Sequence, residues 1–265
     1  MSKIGIAFDR ARKEGRLAFI PYLTAGDPSA DRSLALFLTL CRCGADLVEL
    51  GVPFSDPLAD GAINQRSAQR ALAAGMTLRG VLELVSRIAP NSVPLLLFTY
   101  FNPILRMGVE EFARLAAKAG VDGVLASDLP VEEGDEYRRI LASHGIEPIF
   151  LAAPTTSASR LAAVGEATGE FVYYVSRTGV TGERETLPPE AREKVEEIRR
   201  ITGKRVAVGF GISRRSQVEQ AASFADGVVI GSALVRTVEE SGDSEDLPAL
   251  MERRIRELFP GRGSG

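Results

Sequence analysis

The fold is decided by the stretch Asp46-Leu-Val-Glu-Leu-Gly-Val-Pro-Phe-Ser-Asp-Pro-Leu-Ala-Asp-Gly61. Its first part, residues 47–50, is typical of a short buried strand, whose side chains alternate between the two faces. Because a strand this apolar is covered on both faces, Glu49 is expected to project an ionisable carboxyl into a packed interior. Burying an unpaired charge costs several kcal/mol or keeps the group protonated. Proteins tolerate this mainly where the carboxyl has chemistry to perform.

A second carboxyl, Asp60, lies in the loop that follows this strand, among Pro, Gly and Asp residues. Two carboxyls in different surroundings can have their pKa values pushed apart, which gives one acid and one base. Glu49 and Asp60 are therefore a candidate catalytic pair. The alternative is a buried Glu49 in a structural ion pair and an Asp60 in a surface turn.

Apolar runs with strand character alternate along the chain with helical patterns of period 3.6. The runs cover residues 18–23, 47–50, 95–99, 123–126, 148–152, 171–175, 206–208 and 227–230. Eight strands, each followed by a helix, predict an α/β fold with a single (β/α)8 TIM barrel over residues 1–260 and a polar, disordered tail over 261–265. An open doubly wound sheet is the alternative, but no G-x-G-x-x-G follows the first strand. Long connections after strands 2 and 6, residues 51–77 and 176–187, indicate functional loops, the first of them a lid.

Two features orient the barrel. Asp46, Asp122 and Asp226 each directly precede a strand and are expected to be structural residues at the bottom of the barrel. Glycine turns end strands six to eight, and the last two lead straight into helices at Gly209-Phe-Gly-Ile-Ser213 and Gly231-Ser-Ala-Leu234. Backbone N–H groups at such helix starts bind phosphate, and a barrel carries its functional rim at this end.

Composition excludes several classes of function. The formal net charge is −3, which argues against a nucleic-acid surface. No apolar run reaches the ~20 residues that span a bilayer, and the charged N-terminus does not resemble a signal peptide. Cys41 and Cys43 are placed for neither a disulfide nor a metal pair, and a reducing cytoplasm is the simplest location. The only histidine, His144, suits a helix C-cap, so a zinc site is not expected.

These residues resemble the alpha-subunit family of tryptophan synthase over essentially the whole chain. The most specific matches are Val48-Glu-Leu-Gly-Val-Pro-Phe-Ser-Asp-Pro-Leu-Ala-Asp-Gly61 and Ser176-Arg-Thr-Gly-Val-Thr-Gly182. Pro21-Tyr-Leu-Thr-Ala-Gly-Asp-Pro28, Asp128-Leu-Pro-Val-Glu-Glu133 and Gly209-Phe-Gly-Ile-Ser213 also match. The resemblance implies a lyase of tryptophan biosynthesis that cleaves indole-3-glycerol phosphate to indole and glyceraldehyde 3-phosphate, a retro-aldol reaction.

The resemblance also implies roles for individual residues. Glu49 would shuttle protons, Asp60 would accept the indole N–H, and Tyr173 would lie near the scissile bond. The substrate-binding residues implied are Tyr22, Phe98, Tyr100, Thr181 and Phe210, and the phosphate contacts are Gly182, Gly211, Gly231 and Ser232. No metal or organic cofactor is implied. A rival interpretation is another phosphate-binding barrel, such as a sugar-phosphate isomerase.

The family's alpha subunit docks onto a pyridoxal-phosphate-dependent beta subunit in an alpha-beta-beta-alpha heterotetramer. Asp56, Asp128 and Pro130 match interface positions. One segment departs from the family pattern, because Ala62-Ile-Asn64-Gln65 stands where Pro, a variable residue, Ile and Gln are typical. We expect this departure to loosen the loop beside Asp60. It also leaves open that the chain mainly activates its partner.

Overall fold

A computed structural model describes residues 2–89, 93–175, 186–209, 211–242 and 244–259 of the chain. Strands and helices alternate through these residues, and every strand pairing is parallel. The strands are β1 Ala18–Thr24, β2 Val48–Gly51, β3 Leu95–Thr99, β4 Gly123–Ala126, β5 Glu147–Pro148, β6 Leu151–Ala152, β7 Phe171–Val175, β8 Arg205–Gly209 and β9 Gly227–Ile230. The helices are α1 Lys3–Lys13, α2 Ala30–Arg42, α3 Ala62–Ala73, α4 Leu78–Ile88, α5 Phe101–Met107, α6 Val109–Ala119, α7 Asp135–Ser143, α8 Ala158–Ala167, α9 Ala191–Thr202, α10 Arg215–Ala222, α11 Ser232–Ser241 and α12 Leu247–Leu258.

The sheet closes on itself through the segment that contains β5 and β6. Its strand order is β5-β4-β3-β2-β1-β9-β8-β7-β6, so the two ends of the order are consecutive pieces of chain. Between them, Ile149 N–H donates to Val124 O on one side at 2.9 Å, and Tyr173 N–H donates to Phe150 O on the other at 3.1 Å. The predicted strand over 148–152 is therefore divided in two, and together the pieces complete the predicted eight-stranded barrel.

The strands are apolar on both faces because helices cover the outside and side chains fill the inside. Residues of β1, β2, β4 and β9 are buried throughout. Register places Tyr22 beside Glu49 on neighbouring strands, so the two side chains project from the same side of the sheet. A hydrogen bond joins Glu49 of β2 to Tyr173 of β7, strands that are not neighbours, so this side is the barrel interior.

The bottom of the barrel is closed by a repeated contact that we call the carboxylate latch. In each latch an Asp just before one strand accepts a backbone N–H from the preceding strand. Asp46 accepts from Phe19 at 2.9 Å, Asp122 from Leu95 at 2.9 Å and Asp226 from Val206 at 2.8 Å. The prediction that these three residues are structural is confirmed. Between Phe150 and β7 the same position is taken by the Thr168 hydroxyl, which accepts Phe150 N–H at 3.1 Å.

The long connection after β2 differs from the predicted loop. It contains α3, so only residues 52–61 form the loop itself. Residues 176–185 of the predicted loop 176–187 lie outside the described residues, as does the predicted tail 261–265. His144 follows α7 as its C-cap, as predicted. Among the described residues, no helix combines the length and apolar character needed to cross a membrane.

Candidate active site

Glu49 is fully buried at the top of β2, in the centre of the barrel. Its Oε2 accepts a hydrogen bond from the Tyr173 hydroxyl at 3.4 Å, while Oε1 has no partner among the described residues. Burial raises the pKa of Glu49 from its ordinary 4.5 to about 8; the Tyr173 hydrogen bond lowers it and the Asp60 charge raises it further. The carboxyl is therefore mainly protonated at neutral pH and can release a proton to a bound molecule.

Asp60 is held in the loop after β2 by groups from two other elements. Its Oδ2 accepts a hydrogen bond from the Tyr100 hydroxyl at 3.0 Å, and that hydroxyl in turn accepts the Ala59 N–H at 3.0 Å. Burial raises the pKa of Asp60, whereas hydrogen bonds from Tyr100 and Asn64 lower it. Asp60 thus has donors that stabilise its ionised form, which Glu49 largely lacks. This contrast is the expected signature of an acid and a base in one site.

The first turn of α3 fixes the loop that carries Asp60. Gln65 donates its amide N–H to Asp60 O at 2.9 Å and to Pro57 O at 3.3 Å. Asn64 hydrogen-bonds the Asp60 carboxylate, although its own Oδ1 is buried without a partner among the described residues. That this segment loosens the loop stays a prediction, to which the structure adds a contact between the Asn64 amide and the acid. Ala62 is exposed at the first position of the helix.

Three aromatic rings pack together beside Glu49. Phe98 contacts Tyr22 edge-on at 5.9 Å between ring centroids and Tyr173 at 6.4 Å. Tyr22 is almost buried and its hydroxyl bonds Thr24 Oγ1 at 3.2 Å. Gly51 makes room for it, since a Cβ at this position would overlap the Tyr22 hydroxyl. These rings pack together beside the carboxyls and provide an apolar surface of the kind that suits a flat aromatic ligand.

The predicted phosphate turns differ in the donors that they leave available. After β8, Gly211 has the left-handed φ of 67°, but the Ser213 and Arg214 N–H groups both donate to Gln217 Oε1, at 2.8 and 3.0 Å. After β9, Gly231 leads directly into α11, whose first residue is Ser232. Gly231 and Ser232 thus lie directly at a helix N-terminus, the kind of position at which backbone N–H groups can bind an anion. Thr181, Gly182 and Phe210 lie outside the described residues.

The predicted partner contacts lie on the same rim. Asp56, Asp128 and Pro130 are exposed. Asp128 also has an internal role, since its Oδ1 accepts the Phe101 N–H at 2.7 Å and so holds the start of α5. Leu58, in the loop between Asp56 and Asp60, has 82% of its surface exposed.

Sequence reasoning missed three residues of this site: Thr24, Phe54 and Gln65. Phe54 stacks on Tyr100 at 5.0 Å, and so supports the hydroxyl that binds Asp60. The only signal for these contacts was the proximity of Phe54 and Gln65 to Asp60 along the chain. The described residues contain no group of three or more His, Cys, Asp or Glu side chains that could bind a metal ion.

Comparison with known proteins is consistent with this geometry. The family model described as tryptophan synthase alpha chain matches residues 8–257. The tryptophan synthase alpha chain of Solibacter usitatus is 48% identical over 265 residues, covering 100% of this chain and 99% of its own length. The crystal structure of tryptophan synthase subunit alpha from Legionella pneumophila superposes with a TM-score of 0.90 at 34% identity, covering 97% of each chain. A tryptophan synthase structure from M. tuberculosis gives a TM-score of 0.87 at 36% identity, covering 97% of this chain and 99% of that one.

Proposed function

The chain belongs to the tryptophan synthase alpha chain family, and from this premise we propose which of its residues carry the reaction. The enzyme is a lyase that cleaves indole-3-glycerol phosphate to indole and glyceraldehyde 3-phosphate, and it partners with a beta subunit. Cleavage requires a proton on C3 of the indole ring and removal of a proton from the glycerol hydroxyl next to that carbon. The carbon–carbon bond then breaks, its electrons return to the ring, and the hydroxyl carbon becomes the aldehyde.

Glu49 is the proposed acid and base. Its pKa of about 8 supports a protonated carboxyl that delivers its proton to C3, and the resulting carboxylate then accepts the hydroxyl proton. The observation that carries this assignment is that Glu49 is fully buried with Oε1 unpartnered among the described residues. A buried polar atom without a partner is costly, and a substrate hydroxyl would satisfy it. Tyr173, which donates to the other oxygen, orients the carboxyl.

Asp60 is the proposed partner of the indole nitrogen. Protonation at C3 withdraws electrons from the ring and makes the ring N–H more acidic, so a nearby carboxylate stabilises the transition state. Hydrogen bonds from Tyr100 and Asn64 support the ionised form of Asp60. Tyr22, Phe98, Tyr100 and Phe210 are proposed to line the ring slot, with Thr181 at its edge.

The phosphate is proposed to bind at Gly182, Gly211, Gly231 and Ser232. The start of α11 supports this, because Gly231 and Ser232 present the N-terminal end of a helix dipole. Asp56, Asp128 and Pro130 are proposed as contacts in an alpha-beta-beta-alpha heterotetramer. We also propose a cytoplasmic location, supported by the free thiols of Cys41 and Cys43 and testable by cell fractionation.

The test is indole release by Glu49→Gln and Asp60→Asn, each near-isosteric with the natural side chain. Both variants should lose a factor of about 10² or more in kcat, the size expected for a positioned acid or base. Glu83→Gln, an exposed change on α4, is the matched control and should retain full activity. An active Glu49→Gln enzyme would remove Glu49 from the mechanism.

A further inference from the structure

The helix α3, which follows Asp60, has little apolar anchorage. Its buried residues are the small side chains Ser67, Ala68 and Ala71. The next helix, α4, buries Val81, Leu82, Leu84, Val85 and Ile88. Because hydrophobic stabilisation scales with buried apolar area, packing alone holds α3 far less firmly than its neighbour.

Polar contacts to the turn after β1 hold α3 in place instead. Arg70 of α3 binds Asp27 through both carboxylate oxygens, with Nε to Oδ1 at 2.8 Å and Nη2 to Oδ2 at 2.7 Å. The Ser67 hydroxyl, one turn earlier, also donates to Asp27 Oδ2. Asp27 is only 3% exposed, so its carboxylate is largely removed from water and is paired with Arg70. A bidentate pair of this kind fixes the relative orientation of the two side chains as well as neutralising the charge.

A second carboxylate joins α3 to α11. Arg70 Nη1 contacts Glu239 Oε1 at 3.0 Å, and Arg66 contacts both Glu239 oxygens, at 2.6 and 2.8 Å. Hydrogen bonds from Arg66 first, and also from Arg70, lower the pKa of Glu239 to about 2. The helix α11 starts at Ser232, in the proposed phosphate site. Arg70 therefore contacts both neighbours of α3, the turn after β1 and helix α11.

The opposite end of α3 reaches the site. Asn64 and Gln65, in its first turn, hydrogen-bond the side chain and backbone of Asp60. A helix moves largely as a unit, so a shift at Arg70 is transmitted to Asp60. We propose that Arg70, together with Asp27 and Ser67, is a positioning residue that sets the place of Asp60. This inference rests on the proposed role of Asp60 in catalysis.

The test is a comparison of Arg70→Lys in two backgrounds, natural Asp60 and Asp60→Asn. Lysine keeps the positive charge but lacks the planar guanidinium. Asp27 therefore keeps a neutralising partner, while α3 loses the contact that fixes its orientation. With natural Asp60, kcat for indole release should fall about 10-fold, because small misplacements of catalytic groups are costly, while KM changes less than about twofold. With Asp60→Asn, Arg70→Lys should cause no further loss, because the group that it positions is already gone.

The matched control is Arg66→Lys, on the same helix and against the same Glu239, which should leave kcat within about twofold because Arg66 is not paired with Asp27. If Arg70→Lys unfolds, Ser67→Ala is the milder variant, because it keeps the ion pair between Arg70 and Asp27. It should lower kcat about threefold. An equal loss in both Asp60 backgrounds would indicate general structural damage and overturn the proposal, as would unchanged kcat. Full activity of Asp60→Asn alone would instead overturn the role of Asp60, and this inference with it.

Discussion

At the scale of single residues, the site depends on two buried carboxyls that differ in their hydrogen-bond donors. Glu49 has one weak hydrogen bond at 3.4 Å and a pKa near 8, whereas Asp60 has donors from both Tyr100 and Asn64. Burial raises the pKa of both carboxyls, but the Tyr100 and Asn64 hydrogen bonds oppose this shift at Asp60, whereas Glu49 has only the weak bond from Tyr173. The same arrangement has a cost in stability that depends on pH.

That cost gives a prediction for Glu49→Gln. The pKa of Glu49 rises from 4.5 to about 8 on folding, so between these values the folded chain holds a proton that the unfolded chain has released. The contribution of Glu49 to the free energy of unfolding is thus most favourable below pH 4.5 and falls as pH rises to about 8, by an amount on the order of a few kcal/mol. Glutamine has no such proton, so Glu49→Gln should gain stability over the natural chain across this window. Denaturant unfolding of both chains at pH 5, 7 and 8.5 measures the difference, and a gap independent of pH would contradict the burial effect.

Ser232 gives a prediction for the phosphate site. Ser232→Asp would place a carboxylate at the start of α11, where it repels a phosphate that shares the same N–H groups. KM should rise about 10-fold or more while the melting temperature changes little, since acidic residues are tolerated at helix starts. Ser241→Asp, at the other end of α11, is the control for an added charge. Unchanged affinity for glycerol phosphate in Ser232→Asp would place the phosphate elsewhere.

At the scale of elements, the strands were predictable from sequence because each is a short apolar run between polar segments. The three Asp residues at strand starts were also predictable, since a repeated pattern at equal positions indicates a repeated structural task. Two features could not be predicted from the sequence, because they depend on long-range contacts or lack a clear periodic pattern. The divided strand at Glu147–Ala152 is shaped by neighbours on both sides, and α3 was hidden because its few buried residues give little helical periodicity.

The carboxyl Glu49 was predictable because a charged residue inside an apolar run is conspicuous. Its hydrogen bond to Tyr173 was not, because the two residues are 124 positions apart. Asn64 was expected to loosen the loop, and its buried Oδ1 has no partner among the described residues. The contact of its amide with Asp60 depends on the orientation of α3, which no local pattern reveals.

The start of α3 gives a prediction for Ala62→Pro. Ala62 is the first residue of the helix, and the preceding Gly61 has φ −71° and ψ 158°, the extended conformation that a residue before proline prefers. Proline at this position loses no helical hydrogen bond and should stabilise the chain by about 0.4–1 kcal/mol. Thermal unfolding measures this gain. Gln69→Pro, in the middle of α3, is the control and should destabilise the helix by about 3 kcal/mol.

Unlike Ala62→Pro, Asn64→Ile should change the rate of indole release at low pH. Isoleucine relieves the unpaired Oδ1 but removes a donor from Asp60, so the pKa of Asp60 should rise. Steady-state indole release by the two single variants separates these effects, because only Asn64→Ile should be slower at low pH. An Asn64→Ile enzyme faster than the natural one would restore the sequence-based interpretation.

At the scale of the whole molecule, the two ends of the barrel expose different apolar side chains. Leu58, 82% exposed, lies on the rim with Asp56 and close to Asp60. Ile6, 53% exposed, lies on α1, near the latch residues at the bottom. Leu58→Ser should weaken binding of a beta subunit about 10-fold, the scale of an interface anchor, without affecting the fold. Ile6→Ser should leave binding unchanged, and sedimentation of the mixed subunits distinguishes the two variants.

The three carboxylate latches and the Thr168 contact at the bottom of the barrel differ in their hydrogen-bond acceptor. Three are carboxylates, and the fourth is the Thr168 hydroxyl beside the divided strand. Hydrogen bonds to a charged acceptor are roughly twice as strong as neutral ones, so the contact between Thr168 and Phe150 is the weakest of these four. Local opening should begin there, and the Ile149 and Tyr173 amides should take up deuterium from solvent before those of the central strands. Each such opening moves the backbone of the tyrosine that hydrogen-bonds Glu49, so the same motion would briefly admit water to this fully buried acid.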